Sequence, residues 1–348
     1  MAVSSSHSSR MFAGSTKFHS SLISTLPTVD AMIRDIPAGE AALLINGRSR
    51  RGAAAYEPVL QAMERAGVQV NYSTLVHDLE SMRAAVADVM VRGCSLLVVG
   101  GGDGTVGTVA GLLADLPVDR RPVLGVLPLG TANDFARTLD LPADLTAAVA
   151  VLAGGKVVDI DLGRANGLPF LNVASLGLSV EATLALRPAV KRRLGSLAYP
   201  ISSMMAYRRH RPFRARLEFP DAEHSPLELG DLLQVAVGNG RHYGGGNTVA
   251  PDAGIDDSTL DVYAIQAGRL RDHLSVARLL RDGSLIQHDH VQHLITRSLV
   301  LHTDEPQPVN LDGEIATTTP VRFSVQRNGI DVAVPVHVTH LHHDAVRN

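Results

Sequence analysis

The feature that most constrains this chain is an alternation between residues 41 and 127. Short apolar runs at 41–45, 68–73, 95–99 and 122–127 are separated by stretches with helical spacing. The runs are too short for helices and read as buried strands. Residues 56–66, 78–92 and 106–114 read as the helices between them, the second placing Leu79, Met82, Val86, Val89 and Met90 on one face. Strands alternating with helices imply a parallel sheet covered by helices on both faces. Ligands of such sheets gather at the carboxyl ends of the strands. The loops starting at Asn46, Gly100 and Pro128 are therefore expected to share one rim.

Beyond Asp161 the pattern changes. Strand candidates follow at 157–161, 170–174, 215–219, 232–237, 260–265, 299–302 and 321–325, with helices expected only in a basic stretch and at 272–281. This reads as a second, mostly antiparallel β domain. The expected division is a disordered extension over 1–38, an α/β domain over 39–162, a β-rich substrate domain over 163–319 and a tail over 337–348. Nine of the first 25 residues are Ser, and no acid precedes Asp30.

Composition removes several function classes. With 348 residues, 45% hydrophobic, the chain can bury a core without cross-links. Cys94 is the sole cysteine, which excludes an intrachain disulfide or a Cys-based zinc site and fits a reducing cytoplasm. No apolar run approaches the roughly 18 residues of a membrane span, so a cytoplasmic location with only peripheral membrane contact is expected. The lysines are Lys17, Lys156 and Lys191; none follows a glycine loop, which excludes a Walker-type phosphate site.

Two segments carry the chemistry. Gly100-Gly101-Gly102-Asp103-Gly104-Thr105 directly follows the third strand. Its glycines allow close backbone approach to a ligand. The helix behind offers uncommitted amides and a positive dipole end, which suit phosphate. Asp103 there can bind Mg²⁺ or orient a hydroxyl. Pro128-Leu129-Gly130-Thr131-Ala132-Asn133-Asp134-Phe135-Ala136 follows the fourth strand, with Gly130, Thr131 and Asn133 suited to a phosphate or ribose. The plainer reading of Asn133 or Asp134 is a helix N-cap. Asp252, Asp256, Asp257 and Asp261 gather around Gly254, a composition suited to Mg²⁺ or Ca²⁺. Asp312-Gly313-Glu314 reads by itself as a hairpin turn.

Together, Gly-Gly-Asp-Gly-Thr and Pro-Leu-Gly-Thr-Ala-Asn-Asp-Phe-Ala closely resemble the signatures of the diacylglycerol kinase catalytic family, and in particular its soluble bacterial lipid kinases of the YegS type. The resemblance extends in order over residues 41–335. It includes Leu44-Ile45-Asn46-Gly47, Gly238-Asn239-Gly240-Arg241, Gly244-Gly245-Gly246, Ala250-Pro251-Asp252-Ala253, Asp256-Asp257 and Asn310-Leu311-Asp312-Gly313-Glu314. It implies a Rossmann-like, NAD-kinase-like α/β nucleotide domain, with strands at about 320–336 returning to it, and an antiparallel β sandwich. It implies transfer of the ATP γ-phosphate to a lipid hydroxyl, with ATP and Mg²⁺ as cofactors. The implied nucleotide site is Asn46, Thr74, Gly101, Gly102, Asp103, Gly104, Thr105, Val106, Gly107, Thr108, Gly130, Thr131 and Asn133. Glu314 is the implied proton acceptor, with Asp103 as its rival and Asp312 in support. Asp257, with backbone carbonyls near Gly254 and Thr259, is the implied structural Mg²⁺ site.

This chain departs from the family pattern at Gly107-Thr108, where Asn-Glu is usual, and at Ser258, where Gly is usual. From Ala182 to Leu217 there is no acid but nine basic residues, including Arg187, Arg208, Arg211, Arg214 and Arg216. A face of that charge between Arg187 and Arg216 is expected to meet an anionic membrane carrying the lipid substrate. Without aromatic stacking repeats it does not read as a nucleic-acid surface. The histidines, including His288, His290, His293, His337, His340, His342 and His343, read as surface residues. The alternatives are an NAD kinase-like small-molecule kinase and a nucleotide- or lipid-binding regulator with weakened catalysis. A homodimer is compatible with the sequence.

Overall fold

The computed structural model describes residues 34–37, 39–48, 50–185, 210–240, 242–243, 247–248, 254–268, 289–339 and 341. The chain opens with β1 (Arg34–Asp35) and β2 (Ala41–Asn46), then α1 (Arg50–Arg65), β3 (Val70–Val76), α2 (Leu79–Arg92), β4 (Leu96–Gly101), α3 (Asp103–Ala114) and β5 (Val123–Pro128). The short helix α4 (Asp134–Thr138) and α5 (Leu145–Gly154) follow. The order β3-β2-β4-β5 is parallel throughout. β2, β4 and β5 are buried along almost their whole length, which is why they read as unbroken apolar runs. One core packs α2 and α3 on one face of the sheet, and a second packs α1 and α5 on the other.

Local chemistry explains the boundaries. Asp78 caps α2 by accepting from the Ser81 amide at 2.8 Å, and Gly93 closes it in the left-handed region at φ 67°. Met82, Ala85, Val86 and Val89 form its buried face, but Leu79 is 50% exposed, so the expected stripe is rotated at its first turn. α1 begins at Arg50, ahead of its apolar period, and β3 runs on to Val76.

The second half is β6 (Lys156–Ala165), β7 (Leu168–Phe170), β8 (Val173–Gly177), the helix α6 (Leu178–Ala185), β9 (Phe213–Glu218), β10 (Leu227–Gly238), a short hairpin of β11 (His242–Tyr243) and β12 (Asn247–Thr248), and β13 (Leu260–Gln266). It ends in β14 (Val291–Thr296), β15 (Ser298–Thr303), β16 (Pro308–Leu311), β17 (Glu314–Thr318) and β18 (Val321–Val334). The pairs β17-β16-β8-β10-β9-β15 and β10-β13-β14 are all antiparallel, around a third core that includes Phe170, Leu217, Val235, Val262 and Phe323. The expected helix at 272–281 lies outside the described residues.

β18 joins the halves. Its first residues pair with β15, and its last pair antiparallel with β6 and parallel with β5, Val332 opposite Leu124. A register shift between Gln326 and Ile330 separates the two stretches. Within the expected extension, Arg34–Asp35 instead forms a strand on β6, and the Arg34 guanidinium lies 2.9 Å from the Asp331 carboxylate. Residues 1–33 lie outside the described residues.

Ile330 is 1% exposed and belongs to the same core as Leu124, Ile160 and Leu113. Ile330→Ala is therefore expected to lower the unfolding free energy by about 2–5 kcal/mol, read by chemical denaturation. An unchanged midpoint would show that β18 contributes little to the first core.

Candidate active site

The glycine loop ends β4 and opens α3, whose N-cap is Gly102 with no side-chain cap. Here it meets the loop after β5, backbone against backbone. A Cβ on Gly130 would stand 2.4 Å from Gly102 Cα and 2.6 Å from Asn133 Oδ1. No side chain fits between the two loops, so only glycine allows this approach. The Leu129 amide donates to the Gly101 carbonyl at 2.9 Å. The Phe135 amide donates to Asp103 Oδ1 at 3.0 Å, tying the start of α3 to the start of α4. Asn46 Nδ2 donates to Thr105 Oγ1 at 2.6 Å, bringing in the end of β2. The three expected loops thus share one rim.

Asn133 stands at the N-cap of α4 with φ 52°, but its side chain does not cap the helix. It turns back on the loop, accepting from the Gly130 amide at 2.9 Å and donating to the Gly130 carbonyl at 3.2 Å. Asn133 therefore shapes the loop. Thr105 is buried, and its amide, like that of Val106, donates to the Gly102 carbonyl. Val106 is 3% exposed, with its side chain in the core. Thr74 sits within β3, in register with Leu44, and its hydroxyl makes only a long 3.4 Å bond to the Leu75 carbonyl. Thr131 is exposed in the loop. The Thr108 hydroxyl donates to the Gly104 carbonyl at 2.8 Å, back onto its own helix.

The second domain contributes the hairpin of β16 and β17. Asp312 (φ 47°) and Gly313 (φ 103°) form its two-residue turn, with Leu311 opposite Glu314. The Gly313 amide donates to Asn310 Oδ1 at 2.8 Å. Asp312 does more than turn the chain. Its carboxylate accepts from the amides of Leu171 at 2.6 Å, Asn172 at 2.9 Å and Val173 at 3.0 Å, in the break between β7 and β8. Burial pushes the Asp312 carboxyl up to about 6, with the Asp103 charge adding to the rise and the three amides opposing it. Burial also raises Asp103, against the Phe135 amide and with the neighbouring Asp134 charge.

The hairpin places Glu314 at the mouth of the glycine loop. Its Oε1 would lie 3.3 Å from a Cβ on Gly104, and Asp312 Oδ2 would lie 3.8 Å from one on Gly107. Between them runs a groove of about 500 Å³ lined by Arg83, Asp103, Gly104, Gly107, Asp312 and Glu314, with Leu112, Leu168 and Ile315 among its apolar walls. Asp103, Gly104, Gly107, Thr108, Asp312 and Glu314 are thus brought together. Chemically, the groove offers the positive start of α3 for an anion and an exposed carboxylate for a hydroxyl.

The acidic loop is built differently from the expectation. Asp257 accepts from the Gly254 amide at 2.9 Å, the Thr259 amide at 2.9 Å and the Thr259 hydroxyl at 2.7 Å. Its oxygens hold its own turn. Asp261 faces away into β13, where its carboxylate lies 2.6 Å from His293 Nε2. Among the described residues no group of three His, Cys, Asp or Glu side chains converges as a metal cage. At Gly254, Asp257 and Thr259 the carboxylate is thus engaged by donors of its own turn, and Asp252 lies outside the described residues. The usual glycine position is taken by Ser258 at φ 62°. Its amide donates to Asp161 Oδ2 at 2.6 Å, while the Asn328 amide donates to Asp161 Oδ1 at 2.9 Å. Asp161 was not singled out in the sequence, although a second acid two residues after Asp159 in an apolar strand is a visible signal. Burial pushes its carboxyl up to about 6.

The chain matches the diacylglycerol kinase catalytic domain over residues 40–165 and the YegS C-terminal NAD kinase beta sandwich-like domain over residues 172–334. It is similar to the diacylglycerol kinase of Bacillus subtilis (strain 168), 31% identical over 278 residues, covering 80% of this chain and 89% of the relative. A probable lipid kinase YegS-like of Serratia proteamaculans is 33% identical over 305 residues, covering 86% and 95%. A crystal structure from Bacillus anthracis str. Sterne shares the fold with a TM-score of 0.73 at 24% identity, covering 86% of this chain and 97% of that one.

Two outcomes follow from this geometry. Gly130→Ala is expected to push the two loops apart and weaken nucleotide binding at least about tenfold, measured by titration calorimetry, by loss of preorganised contacts. Retained affinity would mean the loops need not touch. Asp161 keeps its proton better in the folded chain than unfolded, where 3.8 applies. Its contribution to stability therefore falls as pH rises from about 4 to about 6. Asp161→Asn should flatten that fall by roughly 2–3 kcal/mol, comparing denaturation at about pH 4 and about pH 7. A profile as steep as that of the unaltered chain would assign the pH dependence elsewhere.

Proposed function

This chain belongs to the diacylglycerol kinase catalytic-domain family, and from that premise we propose that it transfers the γ-phosphate of ATP to a hydroxyl of a membrane lipid of the diacylglycerol, phosphatidylglycerol or sphingoid type. The observation that carries the reading is the placement of Glu314, from the second domain, against Gly104 in the glycine loop of the first. Phosphoryl transfer needs positioning and charge neutralisation more than covalent catalysis. The opening amides of α3 and the bare backbone at Gly102 and Gly130 receive the phosphates. Magnesium bound with the nucleotide would be held beside Asp103 and would supply neutralisation of the phosphate oxygens. Glu314, exposed at the groove, accepts the proton of the lipid hydroxyl. That oxygen then bonds to the γ-phosphorus as the bond to the β-phosphate oxygen breaks and ADP leaves. Asp103, fixed by the Phe135 amide, orients the phosphate side. Asp312 holds the hairpin that carries Glu314.

The lipid arrives on a membrane. No helix among the described residues is long and apolar enough to cross one. Of the basic stretch, Arg211, Arg214 and Arg216 are described and exposed, and Arg216 is drawn to Glu218 at 3.0 Å and Glu228 at 3.5 Å. The remaining attraction supports peripheral docking, by roughly 1 kcal/mol per basic residue near an anionic surface.

The test is transfer of labelled γ-phosphate to mixed micelles bearing a lipid panel. Glu314→Gln is expected to lower kcat by about 10²–10⁴-fold. Asp103→Asn should also depress transfer. Label in NADP would move the chain to small-molecule phosphorylation, and bound ATP without transfer would favour the regulator.

A further inference from the structure

The groove that holds Glu314 is acidic, and one residue in it runs against that trend. Its lining includes Asp103, Asp115, Asp312 and Glu314, but only one cation, Arg83. Arg83 lies one helical turn after Leu79 on α2 and is exposed. Three of these four acids already have partners. Asp115 is held by the Arg164 guanidinium at 2.8 Å, Asp103 by the Phe135 amide and Asp312 by three amides. Arg83 pairs with none of them. An arginine that lines an acidic groove yet makes no ion pair there has its guanidinium available to an incoming anion.

The floor of the groove leaves space for one. Gly107 carries no side chain, and a Cβ there would meet nothing closer than 3.8 Å. The Thr108 hydroxyl is folded onto the Gly104 carbonyl. Asp103 and Gly104, the first residues of α3, line the same groove. A planar, bidentate donor and a helix start facing one cavity suit a phosphate group.

We propose that Arg83 is a phosphate-binding residue of this groove, neutralising the oxyanions of the bound nucleotide. The inference rests on the kinase reading above and adds the residue that replaces a missing lysine in handling phosphate charge. A lipid headgroup or lipid product offers the same phosphate chemistry, so the test separates the two sources.

ATP and adenosine binding to the full chain are measured by calorimetry without lipid, and transfer is then measured at varied anionic lipid. Arg83→Ala should weaken ATP binding about tenfold or more while leaving adenosine unchanged, with Arg83→Lys intermediate. Higher salt should weaken ATP binding less in Arg83→Ala than in the unaltered chain. Unchanged ATP binding with a raised KM for anionic lipid would overturn the nucleotide role and assign Arg83 to the headgroup phosphate instead. Equal losses for ATP and adenosine would overturn the proposal in favour of a structural role, as would no change in either measurement. If the unaltered chain neither binds ATP nor transfers phosphate, the kinase reading fails first.

Discussion

The Asp312 carboxylate is the contact on which the groove depends. It gathers the amides of Leu171, Asn172 and Val173 in the gap where β7 gives way to β8. Three buried donors would otherwise lack partners, which is costly in a low-dielectric interior. The same residue begins the β16–β17 turn in the left-handed region. One side chain therefore fixes both the break in the second domain and the position of Glu314. Its carboxyl is raised because burial outweighs the amides, with Asp103 close enough to add its charge.

The first domain answers with a backbone contact. Gly102 and Gly130 approach so closely that the two loops act as one surface, and Asn133 braces that surface from beneath. Asp103 ties it to α4. β18 then holds the domains in one continuous sheet, pairing with β15 at one end and with β5 and β6 at the other. Glu314 and the glycine loop, from two domains, stay in fixed register only if the frame between them is stiff.

Much of this was legible where one physical term dominates. Strands buried on both faces announce themselves as apolar runs, so the parallel sheet and its rim were readable. β14, β16 and β17 were not read: the burial of β14 is broken, β16 is only four residues long and β17 has no buried residue. β18 was read only as far as Val325, since the register shift around Asn328-Gly329 interrupts its alternation before the buried stretch from Ile330 to Val334. α5 was missed although Asp144 caps it by accepting from the Ala147 amide. Within the site, residue type pointed to the loops but not to the division of labour. Val106 packs into the core and Asn133 and Thr105 serve the scaffold, because their partners are distant in sequence or local to the turn.

The electrostatic logic joins these parts. Burial raises the carboxyls of Asp103, Asp161 and Asp312, each sitting where two segments meet. Each is retained by amides that only a short acceptor can reach, so replacing it with an apolar residue would strand those donors. The resulting acidic groove is unfavourable for an anion. Arg83 is the one cationic residue in its lining, so the acids set the field there. The charge of the groove thus arises from the same acids, Asp103 and Asp312, whose amide contacts hold its segments in place.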